Sequence, residues 1–306
     1  LNIDNRIKFR HLLCFLEVSR QGSLVRAASV LMVTQPAISK SLKELEDILN
    51  ASLFDRSKSG VTLTEAGRAF LRYVGPCVQS LREGVRSLRE GEHESGLIRI
   101  GVLSTVESSL LPDTLRRLHA QHASLAVQAI TGPGKHLLSL LRLGDLDLVV
   151  GRVSDNPQVE GLTFEHLYSD SMAIIVNASH ELLSGSLHAL DDYPVILPLP
   201  DTTIRRHADS LFVQLGLSLP KRRLETLSVA LCRSYVLNSN AVWIAPRDAV
   251  RQDLLKGELA ELDLGLKEPG GSVGICSNPA MPLSLAAQWC CEALREAAAP
   301  YRSGDL

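Results

Sequence analysis

Apolar residues recur at helical spacing again and again in the first fifty positions. Phe9, Leu12, Leu13, Phe15, Leu16 and Val18 predict an amphipathic helix over 9–20 that Gln21-Gly22 stops. Ser23 suits the N-cap of a second helix, Ser23 to Leu31, with Leu24, Ala27, Ala28 and Leu31 on one face. After Met32-Val33, Thr34 fits a cap and Pro36 the first turn of a third helix, where its missing N–H costs nothing. That helix runs to about Leu49, with Ala37, Ile38, Leu42, Leu45 and Leu49 inward and Gln35, Ser39, Lys40 and Lys43 outward. Residues 52–64 then read as two short extended stretches around a polar tip, Ser57-Lys58-Ser59-Gly60, which is the pattern of a β-wing.

From Thr64 a longer helix is expected. Leu63, Gly67, Phe70, Val74, Cys77, Leu81, Gly84 and Leu88 alternate by four and three, a heptad seam too narrow to bury much within one chain. The stretch Gly91-Glu92-His93-Glu94-Ser95-Gly96 has no periodicity and suits a hinge. Beyond it, strands and helices alternate. Strands are expected at 97–103, 125–130 and 146–150, and near 162–167, 172–177, 194–198, 222–227, 241–245 and 271–276. Helices at 108–122, 135–143, 203–215, 228–238 and 283–298 complete an open α/β body.

Composition narrows the picture. Hydrophobic residues at 45% and charged residues at 22% are the balance of an ordinary globular protein, and 306 residues suit two or three domains. No apolar run approaches the roughly 18 residues that span a bilayer, and Leu1 to Arg10 carries no signal-peptide core, so a cytoplasmic location is expected. Charge is uneven: residues 1–90 hold 14 Lys and Arg against 9 Asp and Glu, while the rest of the chain is acidic. A basic front on an acidic body points to a polyanion at the front alone. The six cysteines form no C-x-x-C pair and read as free, mostly buried thiols, with a redox role for one of them the minor reading.

The outward face of the third helix has the chemistry of base reading. Short polar donors stand near its N-terminus, and cations follow for the phosphates. Arg56 and Lys58 sit where a wing meets the backbone or the minor groove. Residues 7–65, above all AASVLMVTQPAISKSLKELEDILNASLFDRSKSGVTLTEAG, resemble the DNA-binding domain of the LysR family of bacterial transcription regulators. The resemblance places Gln35, Pro36, Ser39 and Arg56 at DNA-contacting positions. With Ser23, Thr34, Lys40, Lys43 and Lys58 they make up the candidate interface.

In the α/β half, Ser104-Thr105, Thr131-Gly132-Pro133-Gly134 and Asp201-Thr202-Thr203-Ile204-Arg205 each join an apolar strand to a helix, and Gly151-Arg152 follows a fourth strand. Such strand ends gather ligands, because helix N-termini present free N–H groups there. Ser104, Thr105, Gly132, Gly134, Arg152, Thr202, Thr203 and Arg205 are the candidate effector residues, suited to a carboxylate. The family resemblance implies an α+β multidomain chain: a winged helix-turn-helix domain (1–64), a dimerisation linker helix (65–92) and a periplasmic-binding-protein-like α/β effector domain (93–306). Its subdomain I would be 97–166 plus 269–300 and its subdomain II 167–268. It further implies a homodimer or homotetramer on double-stranded DNA, contact with RNA polymerase and activation as the commoner outcome.

Asn238-Ser239-Asn240 replaces a Gly-x-Gly stretch common in the family. With GSVGICSNP and IKFRHLLCFLEV, it resembles the subgroup regulating protocatechuate catabolism or sugar-binding-protein genes. That subgroup implies an organic-acid effector from aromatic catabolism, such as a carboxymuconate-like intermediate.

Gly132-Pro133-Gly134-Lys135-His136 lacks the further glycine and the Ser or Thr of a phosphate loop. His119 and His122 lack a third metal ligand, so neither a metal nor a cofactor is expected. Two other classes remain for comparison: an α/β enzyme, and a solute-binding protein for a small organic acid whose N-terminal helices serve only assembly. The enzyme would turn over its ligand without specific DNA affinity.

Overall fold

The computed structural model describes residues 5–57, 60–90, 96–153, 159–184, 190, 192–263 and 270–302. Lys58 and most of the expected hinge, 91–95, lie outside the described residues. The chain divides into two compact units, one formed mainly by Leu1–Glu94 and one by most of the residues from Ser95 onward.

The first unit is helix α1 (Phe9–Gln21), α2 (Leu24–Val30), α3 (Gln35–Leu49), strands β1 (Phe54–Ser57) and β2 (Gly60–Leu63), and α4 (Glu65–Glu90). Gly22 (φ 57) and Asn50 (φ 48) end α1 and α3 in the left-handed region. The apolar stripes of α1, α2 and α3 meet at Phe15, Val18, Ala27, Ile38, Leu42 and Leu45, all fully buried. Phe15 packs its ring 5.4 Å from that of Phe54 and 5.1 Å from that of Phe70, which ties the helices to the wing and to α4. Each of the larger side chains among them, from Val18 to Phe15, stabilises the unit by about 1.5–3 kcal/mol.

One expectation fails here: Ala37 is exposed, because the buried register of α3 is Ile38, Leu42 and Leu45. The wing pairs antiparallel, Phe54 opposite Leu63 and Ser57 opposite Gly60. Glu46 fixes it to α3 by accepting from the backbone N–H of Leu53 (2.7 Å) and Phe54 (3.3 Å). Thr64 caps α4, its Oγ1 accepting from Gly67 N–H at 2.9 Å. A Cβ at position 67 would overlap the Leu53 carbonyl oxygen, so this glycine serves close approach of α4 to the wing, not a dimer seam.

The second unit holds two five-stranded sheets. The first has order β4-β3-β5-β12-β6, from β3 (Leu97–Val102), β4 (Ala126–Thr131), β5 (Leu148–Gly151), β6 (Thr163–Asp170) and β12 (Gly271–Ser277). The second has order β11-β7-β10-β8-β9, from β7 (Met172–Asn177), β8 (Val195–Leu197), β9 (Arg223–Glu225), β10 (Val242–Pro246) and β11 (Leu259–Glu261). Strand β3 runs parallel to β4 and β5, and β8 runs parallel to β9 and β10. The chain crosses between sheets twice, at Ser171 between β6 and β7 and again between β11 and β12. The helices are α5 (Ser104–Glu107), α6 (Leu110–Gln121), α7 (Gly134–Leu143), α8 (Thr203–Gln214), α9 (Val229–Leu237), α10 (Arg251–Lys256), α11 (Leu285–Ala297) and α12 (Ala299–Arg302). The single helix expected at 108–122 is thus preceded by a separate short α5, and α10, β11 and α12 are additional. No helix among the described residues is long and apolar enough to cross a membrane.

Candidate DNA interface and effector cavity

On α3 the exposed N-terminal end carries Thr34, Gln35, Pro36 and Ala37, followed by exposed Lys40 and Lys43. Gln35 Nε2 donates to Ser39 Oγ at 3.2 Å, which pre-orients both side chains along the helix. Lys40 lies 4.0 Å from Glu44, and Lys43 is exposed. Glu44 is also met by Arg10 (3.1 Å) and His11 (3.2 Å); the Arg10 hydrogen bond, then that of His11, holds its carboxyl below the usual range. Ser23 caps α2 by accepting from Arg26 N–H at 3.4 Å, whereas the Thr34 side chain makes no cap bond. Arg56 lies on strand β1. Ala37, expected from the spacing to face inward, is exposed on this same end of the helix.

Along α4, the seam positions Gly67 and Val74 are buried and Phe70 is half-buried within the first unit's own core. The apolar residues left outward are Tyr73 (72% exposed), Cys77, Leu81 (52%) and Val85 (43%). They follow one another every four residues, so one face of the helix stays apolar and exposed.

In the second unit a cavity of about 380 Å³ opens at the carboxyl ends of β3, β4, β5, β8 and β9. Ser104, Thr105, Gly132, Gly134, Arg152, Thr202 and Thr203 all line it, so loops far apart in sequence meet there. Helices α7 and α8 both point their N-termini at this space, and their first N–H groups have no acceptor within the helix. Thr105 is 2% exposed, and its Oγ1 has no hydrogen-bond partner. A buried hydroxyl left in that state is costly unless a ligand meets it. Apolar Leu103, Val153, Ile204 and Leu227 supply much of the remaining wall.

Three candidate side chains are placed differently from the expectation. Arg205 does not line the cavity: its guanidinium is committed to Asp209 (2.8 Å), Glu225 (2.9 Å) and the Pro198 carbonyl (3.0 Å). Thr202 lines it, but its hydroxyl donates to the Leu199 carbonyl (2.7 Å) while accepting from Arg205 N–H (3.2 Å). Arg152 contributes to the wall, yet its side chain is fully buried and donates to the Asp170 carbonyl at 3.2 Å. The exposed cation of the cavity is Lys135, in the first turn of α7. Lys135 belongs to the stretch that fails the phosphate-loop pattern, and its place after a strand-end Gly-Pro-Gly is the signal that points to it. Asp201, at φ 62, brings one carboxylate to the opposite wall.

Other groups are absorbed into structure. His122 stacks on Trp289 at 3.7 Å. Cys77 alone among the cysteines is exposed, and burial pushes the Cys232 thiol up to about 12 and the Cys291 thiol to about 11. Among the described residues no group of three or more His, Cys, Asp or Glu is placed to hold a metal ion.

Comparison with known proteins matches residues 9–68 to the family described as bacterial regulatory helix-turn-helix protein, lysR family, and residues 91–299 to the LysR substrate binding domain. The chain is 38% identical to the HTH-type transcriptional regulator PcaQ of Agrobacterium fabrum, with 99% of this chain and 98% of that one covered. It is 32% identical to the uncharacterised HTH-type transcriptional regulator YdcI of Escherichia coli, with 96% of each covered. Among solved structures, ArgP of Mycobacterium tuberculosis superposes with a TM-score of 0.67 at 16% identity, covering 97% of this chain and 99% of that one.

Proposed function

Because the chain belongs to the LysR family of DNA-binding transcriptional regulators, we propose that it activates specific promoters in response to a small organic acid held in its second unit's cavity. Like the family, it binds DNA and a small-molecule effector and works as an oligomer. Residues 1–64 are assigned to DNA binding, 65–92 to dimerisation and 93–306 to effector sensing, in the cytoplasm where promoter DNA and RNA polymerase are met. In this reading α3 enters the major groove with Gln35, Pro36, Ala37 and Ser39 toward base edges, while Lys40, Lys43, Arg56 and Lys58 meet phosphates. The outward face of α4 pairs with a second copy, which matches a pseudo-palindromic operator.

The observation that carries the effector reading is Thr105. Its buried, unpartnered hydroxyl faces a cavity that also receives two helix N-termini and the Lys135 ammonium. That donor set suits a carboxylate, and the apolar wall suits a short carbon frame. A volume of about 380 Å³ is the size of a small metabolite site. The effector changes the angle between the two sheets, and it switches transcription only because it prefers one angle.

Calorimetric titration with a panel of small mono- and dicarboxylic acids, aromatic-pathway acids included, tests this. At least one acid is expected to bind wild-type protein, with affinity reduced about 10–100-fold by Lys135→Ala. Binding only of neutral or cationic compounds, or full affinity in Lys135→Ala, would contradict the carboxylate assignment.

A further inference from the structure

Beside the first crossover between the sheets stands a pair of acids that neither DNA reading nor effector contact uses. Asp170, the last residue of β6, is 4% exposed and stands directly before the first crossover. Asp248 lies in the 3-10 turn that follows β10 of the other sheet. The Asp248 N–H donates to Asp170 Oδ1 at 3.2 Å, so the pair spans the two sheets. Arg247 N–H reinforces the join by donating to the Ser171 carbonyl at 2.9 Å. Asp170 Oδ2 is buried without a hydrogen-bond partner, while the Tyr168 hydroxyl lies against the Asp248 carboxyl and favours its ionised form.

The charged and titratable groups facing the pair come from every element around it. Tyr168 is on β6 and has its ring 4.7 Å from that of Tyr301 on α12. Arg251 of α10 places its guanidinium 4.2 Å over the Tyr301 ring. Arg247 pairs with Glu261 at 2.8 Å. Arg152, entering after β5, is the fully buried cation; it donates to the Asp170 carbonyl and lies on Gly271, where a Cβ would overlap its guanidinium.

Arg152 is the one fully buried cation beside the two carboxylates, while Arg247 and Arg251 offset part of their charge from less buried positions, so an ionised Asp170 is held in an interior that solvates it poorly. Burial, then the charge of the other acid, pushes the Asp170 carboxyl well up, and burial raises Asp248 as well. A single proton removes the poorly solvated charge and lets the unpartnered Asp170 Oδ2 act as a donor. We propose that Asp170 and Asp248 hold one proton as a pair, making the crossover region a proton-sensitive latch that holds the two sheets together. Above its titration range the latch carries two adjacent negative charges across the crossover and loosens. Arg152 and Val153 are both part of the effector cavity's wall, so the latch and the cavity share an element. A ligand that alters the angle between the sheets therefore takes up or releases this proton.

The sign follows from linkage. The folded state binds the proton more tightly than the unfolded chain, so stability rises as pH falls through the pair's range and is lost above it. Thermal unfolding of the full chain across the folded pH range, from acid to alkaline, tests this with wild type, Asp170→Asn and Asp248→Asn. Asparagine at 170 imitates the neutral acid. Wild type is expected to gain about 3–5 °C per pH unit relative to Asp170→Asn as pH falls through the titrating interval, with Asp170→Asn at or above wild type on its alkaline side. Asp248→Asn serves as the second comparison, and is expected to lose the same pH dependence. Infrared spectra of wild type on the acid side of that interval, at a pH where ordinary aspartates are ionised, are expected to show a protonated-carboxyl carbonyl band that is absent from Asp170→Asn. Parallel pH profiles in all proteins that fold, or no such band in wild type, would overturn the proposal.

Discussion

At the scale of single residues, the account turns on a few groups whose surroundings leave one role open. Thr105→Val removes a buried hydroxyl that has no partner, so the unliganded protein is expected to keep its stability or gain about 1 kcal/mol. The same change is expected to weaken organic-acid binding, and calorimetry paired with urea unfolding separates the two effects. Gly67→Ala behaves oppositely. Its methyl would overlap the Leu53 carbonyl, and a loss of about 1–3 kcal/mol in urea unfolding is expected, with effector affinity unchanged. The loops that gather around the cavity were readable, because hydroxyls and glycines between a strand and a helix announce a strand end. The direction of each guanidinium was not. Asp209 stands four residues after Arg205 on one helix and was a readable partner, but Glu225 comes from β9, and no local pattern brings it there. Arg152 turns inward because Gly271, more than a hundred residues away in sequence, leaves room for it.

At the scale of elements, long amphipathic helices announce themselves, and α1, α3 and α4 each carry a stripe over several turns. Strand β11 and helices α10 and α12 are too short to show a period, and β11 exists through pairing with β7, Leu259 opposite Asn177. The heptad of α4 shows a different limit. Spacing alone does not say whether a stripe meets another subunit or its own domain, and Val74 is buried in the first unit's own core. The outward stripe predicts that Leu81→Glu with Val85→Glu shifts sedimentation toward the monomer while leaving far-ultraviolet dichroism intact. Elsewhere, Arg295 of α11 grips Glu165 of β6 at 2.6 and 2.8 Å and holds that carboxyl below its usual range. This contribution is present above the ordinary value of 4.5 and is lost as pH falls below it toward the folded-state range. Both groups are substantially exposed, so solvent screening keeps it modest. The stability gap between wild type and Glu165→Gln is expected to hold above pH 5 and to shrink as pH is lowered below 4.5, a dependence opposite in sign to that of the Asp170–Asp248 latch.

At the scale of the whole molecule, the uneven charge acquires a meaning. The basic excess lies in the segment that carries α3 and the wing, and the acidic remainder holds the cavity. DNA affinity is therefore expected to fall with added salt through the first unit alone, while effector affinity follows the local chemistry around Lys135 and Thr105. The most direct test of the central claim is genome-wide capture of DNA fragments by the purified full-length chain, beside a Gln35→Ala/Ser39→Ala/Arg56→Ala variant. Recovery of one or a few discrete promoters by wild type, lost in the variant, is the expected result. Fragments without sequence enrichment, or equal recovery by the variant, would contradict promoter-specific reading by α3 and the wing.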